Sequence, residues 1–192
     1  MAKLIGKTNV AVFISGRGSN LKYLISYSKK NKSFIKIKIV VSNSKNAKGN
    51  LIAKRNKIPI YINNFKNRKE EKKILKKIKN LNIKLICLAG FMKILSKRII
   101  KKFKNKILNI HPSLLPKYKG LNTHKKVIVN KESFTGCTVH LVNSKLDSGR
   151  IILQKKIKVM KKDNEKSLAK RLLKVENQLY PSALKKFIST SL

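Results

Sequence analysis

Acidic residues are scarce in this chain: seven Asp and Glu stand against 48 Lys and Arg among 192 residues, a formal net charge of +41. A charge of this size ordinarily suggests a nucleic-acid partner. Here, however, lysine dominates and is spread from Lys3 to Lys186, whereas dedicated nucleic-acid readers cluster their cations and use arginine for paired hydrogen bonds. Asparagine and isoleucine are also abundant, as a coding sequence rich in adenine and thymine would produce. We therefore expect a cationic surface without a specific nucleic-acid partner.

Cysteines and long apolar runs are also few. The two cysteines, Cys87 in an apolar run and Cys137 beside Gly136, have no spacing typical of a metal or redox site, and they fit a reduced cytoplasmic setting. No apolar run approaches the ~20 residues of a membrane span, and the start of the chain, MAKLIGK, lacks the apolar region of a signal peptide. These absences predict a cytoplasmic protein with no membrane segment and no metal.

Short apolar segments alternate with lysine-rich helical patterns along the chain. Strands are predicted at 10–15, 35–42, 58–62, 84–89, 106–110, 138–142 and 151–159, and helices at 20–30, 47–56, 68–81 and 163–179, the last of which ends before Pro181. Because the first five strands are too apolar to be half exposed, they favour a mostly parallel sheet with helices on both faces. The alternation, without repeats or a linker, predicts one Rossmann-like wound α/β domain over residues 1–192.

The most informative segment is 106–116, KILNIHPSLLP. Asn109 and His111 are two residues apart in its predicted strand, so their side chains share one face at the carboxyl end of the strand. Pro112 and Pro116 then end the strand and turn the chain outward. Ligands bind at the carboxyl ends of strands in open α/β sheets, and an amide beside an imidazole suits a carbonyl oxygen that becomes an oxyanion. The segment predicts an acyl-transfer enzyme.

A second candidate is the loop 15–20, SGRGSN, between the first predicted strand and the first predicted helix. Its glycines allow a tight turn, and Ser19 and Asn20 offer side-chain donors or a helix cap. The free amide groups of a helix start can bind an anion. The pattern is neither the dinucleotide fingerprint nor a Walker loop. A phosphate-binding loop and an ordinary capped turn both fit the sequence.

Two carboxylates stand out in a chain so poor in acids. Asp147 is the only acidic residue within 133–162; it fits either a local Asx turn or a partner that keeps His111 protonated and oriented. Glu176 lies on an otherwise apolar face of the last predicted helix. It fits either a glutamate that reaches solvent from the edge of that face or a partner for a substrate amine.

The remaining candidates have neutral interpretations as well. His124 fits a surface histidine, and His140 fits a hydrogen-bonded histidine within a strand. The apolar loop 90–95, GFMKIL, fits a part of the core. It also fits a loop at the carboxyl edge of the sheet that holds a flat ring.

At these residues the chain resembles the phosphoribosylglycinamide formyltransferases, folate-dependent enzymes of purine synthesis also called GAR transformylases. The segments 88–96, 108–118 and 120–124 are close to the family's sequence, and the similarity runs from about Val10 to Tyr180. The resemblance implies that the primary amine of 5′-phosphoribosylglycinamide attacks the formyl carbon of 10-formyltetrahydrofolate, a co-substrate. An oxyanion intermediate follows, and no metal takes part.

The resemblance also implies roles for individual residues. The catalytic residues would be Asn109, His111 and Asp147, with Asp147 raising the pKa of a protonated His111 and helping to move the proton. The ribonucleotide would be held at its phosphate by Gly18, Ser19 and Asn20 and at its glycinamide end by Glu176. The folate would be contacted by Arg68, Asn109, Val142 and the loop residues Met92, Lys93, Ile94 and Leu95, with 142–147 closing over the pterin.

The chain departs from the family's pattern at four positions. Ser148 stands where the family has glycine, and Lys93 where it commonly has arginine. Leu141 replaces a preferred aromatic residue, and Ser144 replaces a preferred acid. These departures concern the loop conformation and the folate site more than the reacting groups.

Three alternatives remain. A methionyl-tRNA formyltransferase would suit the positive charge, but that family follows Ser-Leu-Leu-Pro with an arginine-glycine run and has a further C-terminal domain. Formyltetrahydrofolate hydrolase has an additional N-terminal regulatory domain. A polycationic nucleic-acid-binding protein on a borrowed fold would not need Asn109, His111 and Asp147. We expect small-molecule substrates, no membrane partner, and a monomer or weak homodimer.

Overall fold

The computed structural model describes residues 6–191. Residues 1–5, which belong to the segment considered above for a signal peptide, lie outside this range. The strands are β1 (Thr8–Ile14), β2 (Ile35–Ser42), β3 (Ile60–Ile62), β4 (Leu85–Leu88), β5 (Ile107–His111), β6 (Phe134–Leu141) and β7 (Ile151–Lys158). The helices are α1 (Ser19–Ser28), α2 (Lys48–Arg55), α3 (Arg68–Asn80), α4 (Lys97–Lys102), α5 (Thr123–Val129) and α6 (Glu165–Ser191).

The strands form one seven-stranded sheet in the order β3-β2-β1-β4-β5-β6-β7. Neighbouring strands from β3 to β5 pair in parallel, and β6 and β7 are antiparallel. The predicted wound, mostly parallel sheet is confirmed. The chain builds one side of the sheet from β1 to β3 and then crosses to β4. The loops that follow β1 and β4 therefore diverge and leave a crevice, where open α/β sheets bind ligands.

Both faces of the sheet are buried. On β1, Val10, Val12 and Ile14 pack in a core that includes residues of α1, α2 and α6. Ala11 and Phe13 pack in a second core, which includes residues of α3 and α4. Because successive residues of a strand point to opposite faces, a strand covered on both sides is apolar throughout. This explains the unbroken apolar runs in the sequence.

The last helix differs from its prediction. We predicted an end before Pro181, but α6 runs to Ser191 with Pro181 inside it. Proline cannot donate to the carbonyl four residues earlier and costs a helix interior about 3 kcal/mol. The helix continues because its last turns carry Ala183, Leu184 and Phe187, all buried in the core. Burying a large apolar side chain contributes about 1.5–3 kcal/mol, so this packing outweighs the loss.

Three smaller differences have local causes. The helices α4 and α5 were not predicted, because six and seven residues show too little periodicity to be recognised. The strand β6 begins at Phe134, where its pairing with β7 starts, and not at residue 138 as predicted. Within residues 6–191, none of the helices has both the length and the apolar character that a membrane crossing requires.

Candidate active site

The end of β5 and the loop between β6 and β7 bring His111 and Asp147 into contact. His111 Nδ1 lies 3.4 Å from Asp147 Oδ2, with only 7% and 8% of the two side chains exposed. The other ring nitrogen, Nε2, lies 2.8 Å from the carbonyl oxygen of Tyr118. A carbonyl only accepts, so this nitrogen carries a proton and donates. The predicted approach of Asp147 to His111 is confirmed, and the contact is direct.

Asp147 is held by residues distant in sequence. Its Oδ2 accepts the backbone N–H of Gly120 at 2.9 Å, and its Oδ1 lies 3.5 Å from Nε2 of His140. Its own backbone has a φ of 44°, a left-handed conformation that Asp tolerates better than most residues. The partners of the carboxylate are therefore not those of a local Asx turn.

His140 is a site residue that the sequence did not reveal. It pairs directly with Asn109 across the antiparallel strands β5 and β6. Its Nδ1 donates to the carbonyl of Leu141 at 2.8 Å. In the neutral ring Nε2 is then an acceptor, and the Asn109 amide nitrogen lies 3.2 Å from it. The expected hydrogen-bonded strand histidine is confirmed, and it orients Asn109. Only the register between β5 and β6 could have shown this.

Burial is the main influence on the pKa of His111. Desolvation lowers its pKa below the ordinary value of 6.5; the Tyr118 carbonyl and the charge of Asp147 act in the other direction but do not compensate. The pKa of Asp147 is lowered, because burial is outweighed by the proximity of His140, the hydrogen bond from the Gly120 N–H and the nearby His111 imidazole. Burial thus acts against protonation of His111, while both ring nitrogens lie beside acceptors, the Tyr118 carbonyl and the Asp147 carboxylate. The expected protonated resting His111 stays a prediction.

The loop after β1 ends in an open helix start. Gly18 precedes α1 with a φ of 75°, and no side chain caps the helix. Helical bonding begins where Lys22 donates to the Gly18 carbonyl at 2.9 Å, so the preceding amides are not used by the helix. Ser15 Oγ accepts the N–H of Met92 at 2.7 Å, which joins this loop to the one after β4. The capped-turn interpretation is wrong, and an anion-binding start remains.

Asn20 and Glu176 form a buried pair between α1 and α6. The amide of Asn20 donates to Glu176 Oε2 at 2.8 Å, and each residue is 8% exposed. Burial raises the pKa of Glu176, and the bond from Asn20 only partly opposes it. Glu176 does not reach solvent, so that interpretation is wrong. The side chain of Asn20 gives one of its two amide N–H groups to Glu176, and its expected contact with the phosphate stays a prediction. Its Oδ1 is buried without a partner among the described residues.

The expected folate contacts differ in exposure. Met92 and Ile94 are 69% and 84% exposed on the loop after β4, whereas Leu95 is 5% exposed and belongs to the core. Val142 is half-buried against the same core. Lys93 and Arg68, the first residue of α3, are exposed. The core interpretation of the loop therefore holds for Leu95, while its neighbours present a free apolar surface.

The remaining titratable candidates lie apart from this cluster. His124 is half-buried on α5 rather than on the surface, and burial lowers its pKa. Cys87 and Cys137 are free and buried, and burial raises the pKa of each thiol to about 12. Within 6–191, His, Cys, Asp and Glu side chains form no group of three or more that could hold a metal ion.

A wound α/β sheet with an amide, two imidazoles and a carboxylate gathered at its carboxyl edge defines the class of acyl-transferring α/β enzymes. Within that class, the sequence model of the formyl transferase family matches residues 8–184. The chain belongs to this family.

Individual relatives agree. The phosphoribosylglycinamide formyltransferase of Haemophilus influenzae is 41% identical over 93% of this chain and 86% of its own length. The trifunctional purine biosynthetic protein adenosine-3 of Gallus gallus is 43% identical over 93% of this chain, which spans only 18% of that longer protein. The crystal structure of phosphoribosylglycinamide formyltransferase from Brucella melitensis superposes with a TM-score of 0.90 at 38% identity, covering 97% of this chain and 98% of that one.

Proposed function

We propose that this protein transfers the formyl group of 10-formyltetrahydrofolate to the primary amine of 5′-phosphoribosylglycinamide, a step of purine synthesis. The observation that carries the proposal is the buried contact between His111 and Asp147, 3.4 Å long, beside Asn109 at the carboxyl end of β5. The similarity to the Haemophilus influenzae enzyme over most of both chains supports the choice of substrates.

Oxyanion stabilisation falls to Asn109, because the Nε2–H of a neutral His111 already donates to the Tyr118 carbonyl. Attack of the amine on the formyl carbon places negative charge on the formyl oxygen. Asn109 has two amide N–H groups, of which His140 takes one, so the other can face that oxygen. A preorganised donor at such a position typically contributes ~3–4 kcal/mol to transition-state stabilisation.

Proton transfer requires a His111 that starts neutral. The attacking amine must lose a proton, and the leaving nitrogen of the folate must gain one. A neutral His111 that donates from Nε2 to Tyr118 keeps Nδ1 as a base. Once Nδ1 is protonated, both ring nitrogens have acceptors, the Tyr118 carbonyl and the Asp147 carboxylate. Asp147 thus stabilises the imidazolium formed during the reaction, and the imidazolium returns the proton to the leaving group.

The binding surfaces follow from the same arrangement. The unused amides at the start of α1, at Ser19 and Asn20, suit the substrate phosphate. Glu176 and the unpartnered Oδ1 of Asn20 are acceptors for the N–H groups of the glycinamide end, and buried acceptors cost free energy until they are bonded. The exposed loop residues Met92, Lys93 and Ile94, with Arg68, Asn109 and Val142, form the folate side, while the buried Leu95 anchors their loop in the core.

The test is a direct assay of both reaction products. Purified protein is mixed with the ribonucleotide and 10-formyltetrahydrofolate, without ATP and with or without a strong chelator. We expect formylated ribonucleotide and tetrahydrofolate in equal amounts, unchanged by the chelator. Release of formate alone would instead identify a hydrolase, and transfer only to methionyl-tRNA would identify the tRNA enzyme. We also propose a cytoplasmic protein, monomeric or weakly dimeric, without a specific nucleic-acid partner.

A further inference from the structure

One short main-chain segment, residues 117–120, contacts both His111 and Asp147, and we call it the strap. Its Tyr118 carbonyl accepts from His111 Nε2 at 2.8 Å, and its Gly120 N–H donates to Asp147 Oδ2 at 2.9 Å. Tyr118 and Gly120 have φ angles of 55° and 76°, in a region that non-glycine residues seldom adopt. The strap therefore needs contacts elsewhere to keep this conformation.

Ser113 Oγ donates to the Lys117 carbonyl at 2.6 Å, and a further set of contacts comes from Glu132, in the turn between α5 and β6. The Tyr118 hydroxyl donates to Glu132 Oε1 at 2.6 Å, and Lys117 Nζ donates to the same carboxylate at 2.9 and 3.2 Å. Asn130 donates to the Tyr118 hydroxyl at 3.0 Å. The hydrogen bonds from Tyr118 and Lys117 lower the pKa of Glu132, so the acceptor is charged at neutral pH. Hydrogen bonds to charged acceptors are about twice as strong as neutral ones.

The strap sets the tautomer of the neutral His111 ring, that is, which of its two nitrogens carries the proton. With the Tyr118 carbonyl 2.8 Å from Nε2, the neutral ring is held as the Nε2–H tautomer. Without that carbonyl, Nδ1–H would be favoured by the Asp147 carboxylate 3.4 Å away. If Nδ1 already carries a proton, it cannot accept one from the substrate.

Building on the proposed function, we propose that Tyr118 and Glu132 are positioning residues for formyl transfer. Their hydroxyl–carboxylate bond holds the strap, so that its Tyr118 carbonyl keeps the neutral His111 in the Nε2–H form, with an unprotonated Nδ1 beside the Asp147 carboxylate. The side chains of Tyr118 and Glu132 act through the main chain, since they hydrogen-bond to each other, to Lys117 and to Asn130 and not to the reacting groups.

The other charged groups that influence His111 are known. Asp147 raises its pKa, while His140 and Lys126 lower it, and His124 is electrostatically coupled to it. Substitutions at Tyr118 or Glu132 do not alter these four side chains chemically, and two of them, Asp147 and Lys126, contact the strap themselves. A change in His111 after such a substitution therefore reports on the strap.

The test uses Tyr118→Phe and Glu132→Gln in the full chain. We expect kcat for formyl transfer to fall by about tenfold, with KM for both substrates changed by less than about twofold. Nitrogen NMR of the His111 ring should show a larger share of the Nδ1–H tautomer and a lower pKa, because the Tyr118 carbonyl raises that pKa. The matched controls, Tyr61→Phe and Glu71→Gln, remove the same chemical groups elsewhere and should leave His111 unchanged.

Several outcomes separate the possibilities. The double variant should lose less than the sum of the two single variants, because both changes act on the same hydroxyl–carboxylate bond. Unchanged His111 nitrogen signals and titration in both single variants would overturn the proposal. If either variant unfolds, Asn130→Ala removes only the bond to the Tyr118 hydroxyl, and it should shift His111 in the same direction by less. The NMR measurement needs no substrate, so altered His111 signals in a protein that formylates nothing would sustain the strap while rejecting the proposed function.

Discussion

At the residue scale, opposing influences act on the pKa of His111. An apolar surrounding lowers the pKa of His111, while the Asp147 carboxylate and the Tyr118 carbonyl raise it, and burial prevails. In the proposed mechanism His111 starts as a neutral base, and its charged form already has two acceptors in place. General-base catalysis needs this combination, because the base must be free before the proton moves and stabilised afterwards.

Asp147→Asn tests that balance. The substitution keeps the shape and removes the charge, so the His111 pKa should fall further and kcat should drop by ~10²-fold or more with near-normal KM. Histidine NMR and steady-state kinetics measure the two effects. Asn109→Ala is the matched variant: it should lower kcat comparably yet leave the His111 titration in place, because Asn109 bonds to His140. Identical His111 titration in wild type and Asp147→Asn would refute the mechanism.

Glu176→Gln tests the burial of a carboxyl group. Burial raises the folded-state pKa of Glu176 above 4.5, so its contribution to the unfolding free energy is full below pH 4.5 and is lost as pH rises through the raised pKa. Glutamine can still accept from Asn20 and carries no charge. The variant should be at least as stable as wild type at pH 7, with a flatter pH dependence of Tm above pH 4.5.

The same variant should raise KM for the ribonucleotide, because a charged acceptor at the glycinamide end is lost. Thermal unfolding across the acidic and neutral range, with Glu165→Gln as an exposed control, separates stability from binding. A variant less stable than wild type at pH 7 would show that ionised Glu176 is fully compensated in the fold.

At the scale of helices and loops, the loop after β1 is held in place by the close approach of its main chain to α2. Gly18 lies at φ 75°, and an added Cβ would stand 2.6 Å from Gly49 Cα on α2. Distances below 3.0 Å to backbone force a shift. The start of α1 is therefore placed by its close contact with α2.

Gly18→Ala should destabilise the fold by about 1–3 kcal/mol and raise KM for the ribonucleotide more than for the folate. The matched control is Gly16→Ala, where an added Cβ meets nothing within 4 Å. Chemical denaturation and initial-rate kinetics of both variants give the comparison. Equal effects of the two substitutions would mean that the approach to α2 does not position the loop.

Pro181 shows how packing overrides a helix-breaking residue. Pro181→Ala restores a donor for the carbonyl of Asn177 inside α6, while the buried face beyond it remains unchanged. We expect an increase in unfolding free energy of about 1 kcal/mol or more, seen as a Tm increase of about 2–4 °C per kcal/mol. The exposed neighbour Ser182→Ala serves as control. A lower Tm would show that the proline ring packs usefully in the groove between α1 and α6 that it lines.

Charge dominates the molecule as a whole. Seven acids cannot neutralise 48 cations, so most lysines repel one another across a surface screened only by salt. The Debye length is about 30 Å at 0.01 M and about 8 Å at physiological ionic strength. Self-repulsion therefore acts across the whole molecule at low salt and is local at physiological salt.

We expect Tm to rise with salt between ~20 and ~200 mM, measured by thermal unfolding with sodium chloride. Binding to DNA or tRNA should weaken steeply over the same range and show little sequence preference, because phosphate contacts release counterions. Binding assays with two unrelated duplexes and one tRNA provide the comparison. Selective tRNA binding that persists at ~200 mM salt would favour the tRNA-dependent alternative.

The sequence alone determined the elements that depend on local rules. Apolar runs predicted all seven strands, although β6 was placed too short, and four of the six helices. Period-two geometry placed Asn109 and His111 on one face. The glycines of 15–20 indicated a loop at the carboxyl edge. These features follow from short-range sterics and from the alternation of burial, both of which can be seen along the chain.

Only the tertiary structure decided what depends on neighbours distant in sequence. The lowered pKa of His111, the pairing of His140 with Asn109 and the bond from Asn20 to Glu176 each need strands and helices brought together. So does the continuation of α6 through Pro181. The physical reason is common to all four. Solvent exclusion and hydrogen-bond partners are set by packing, and packing is a property of the whole folded chain.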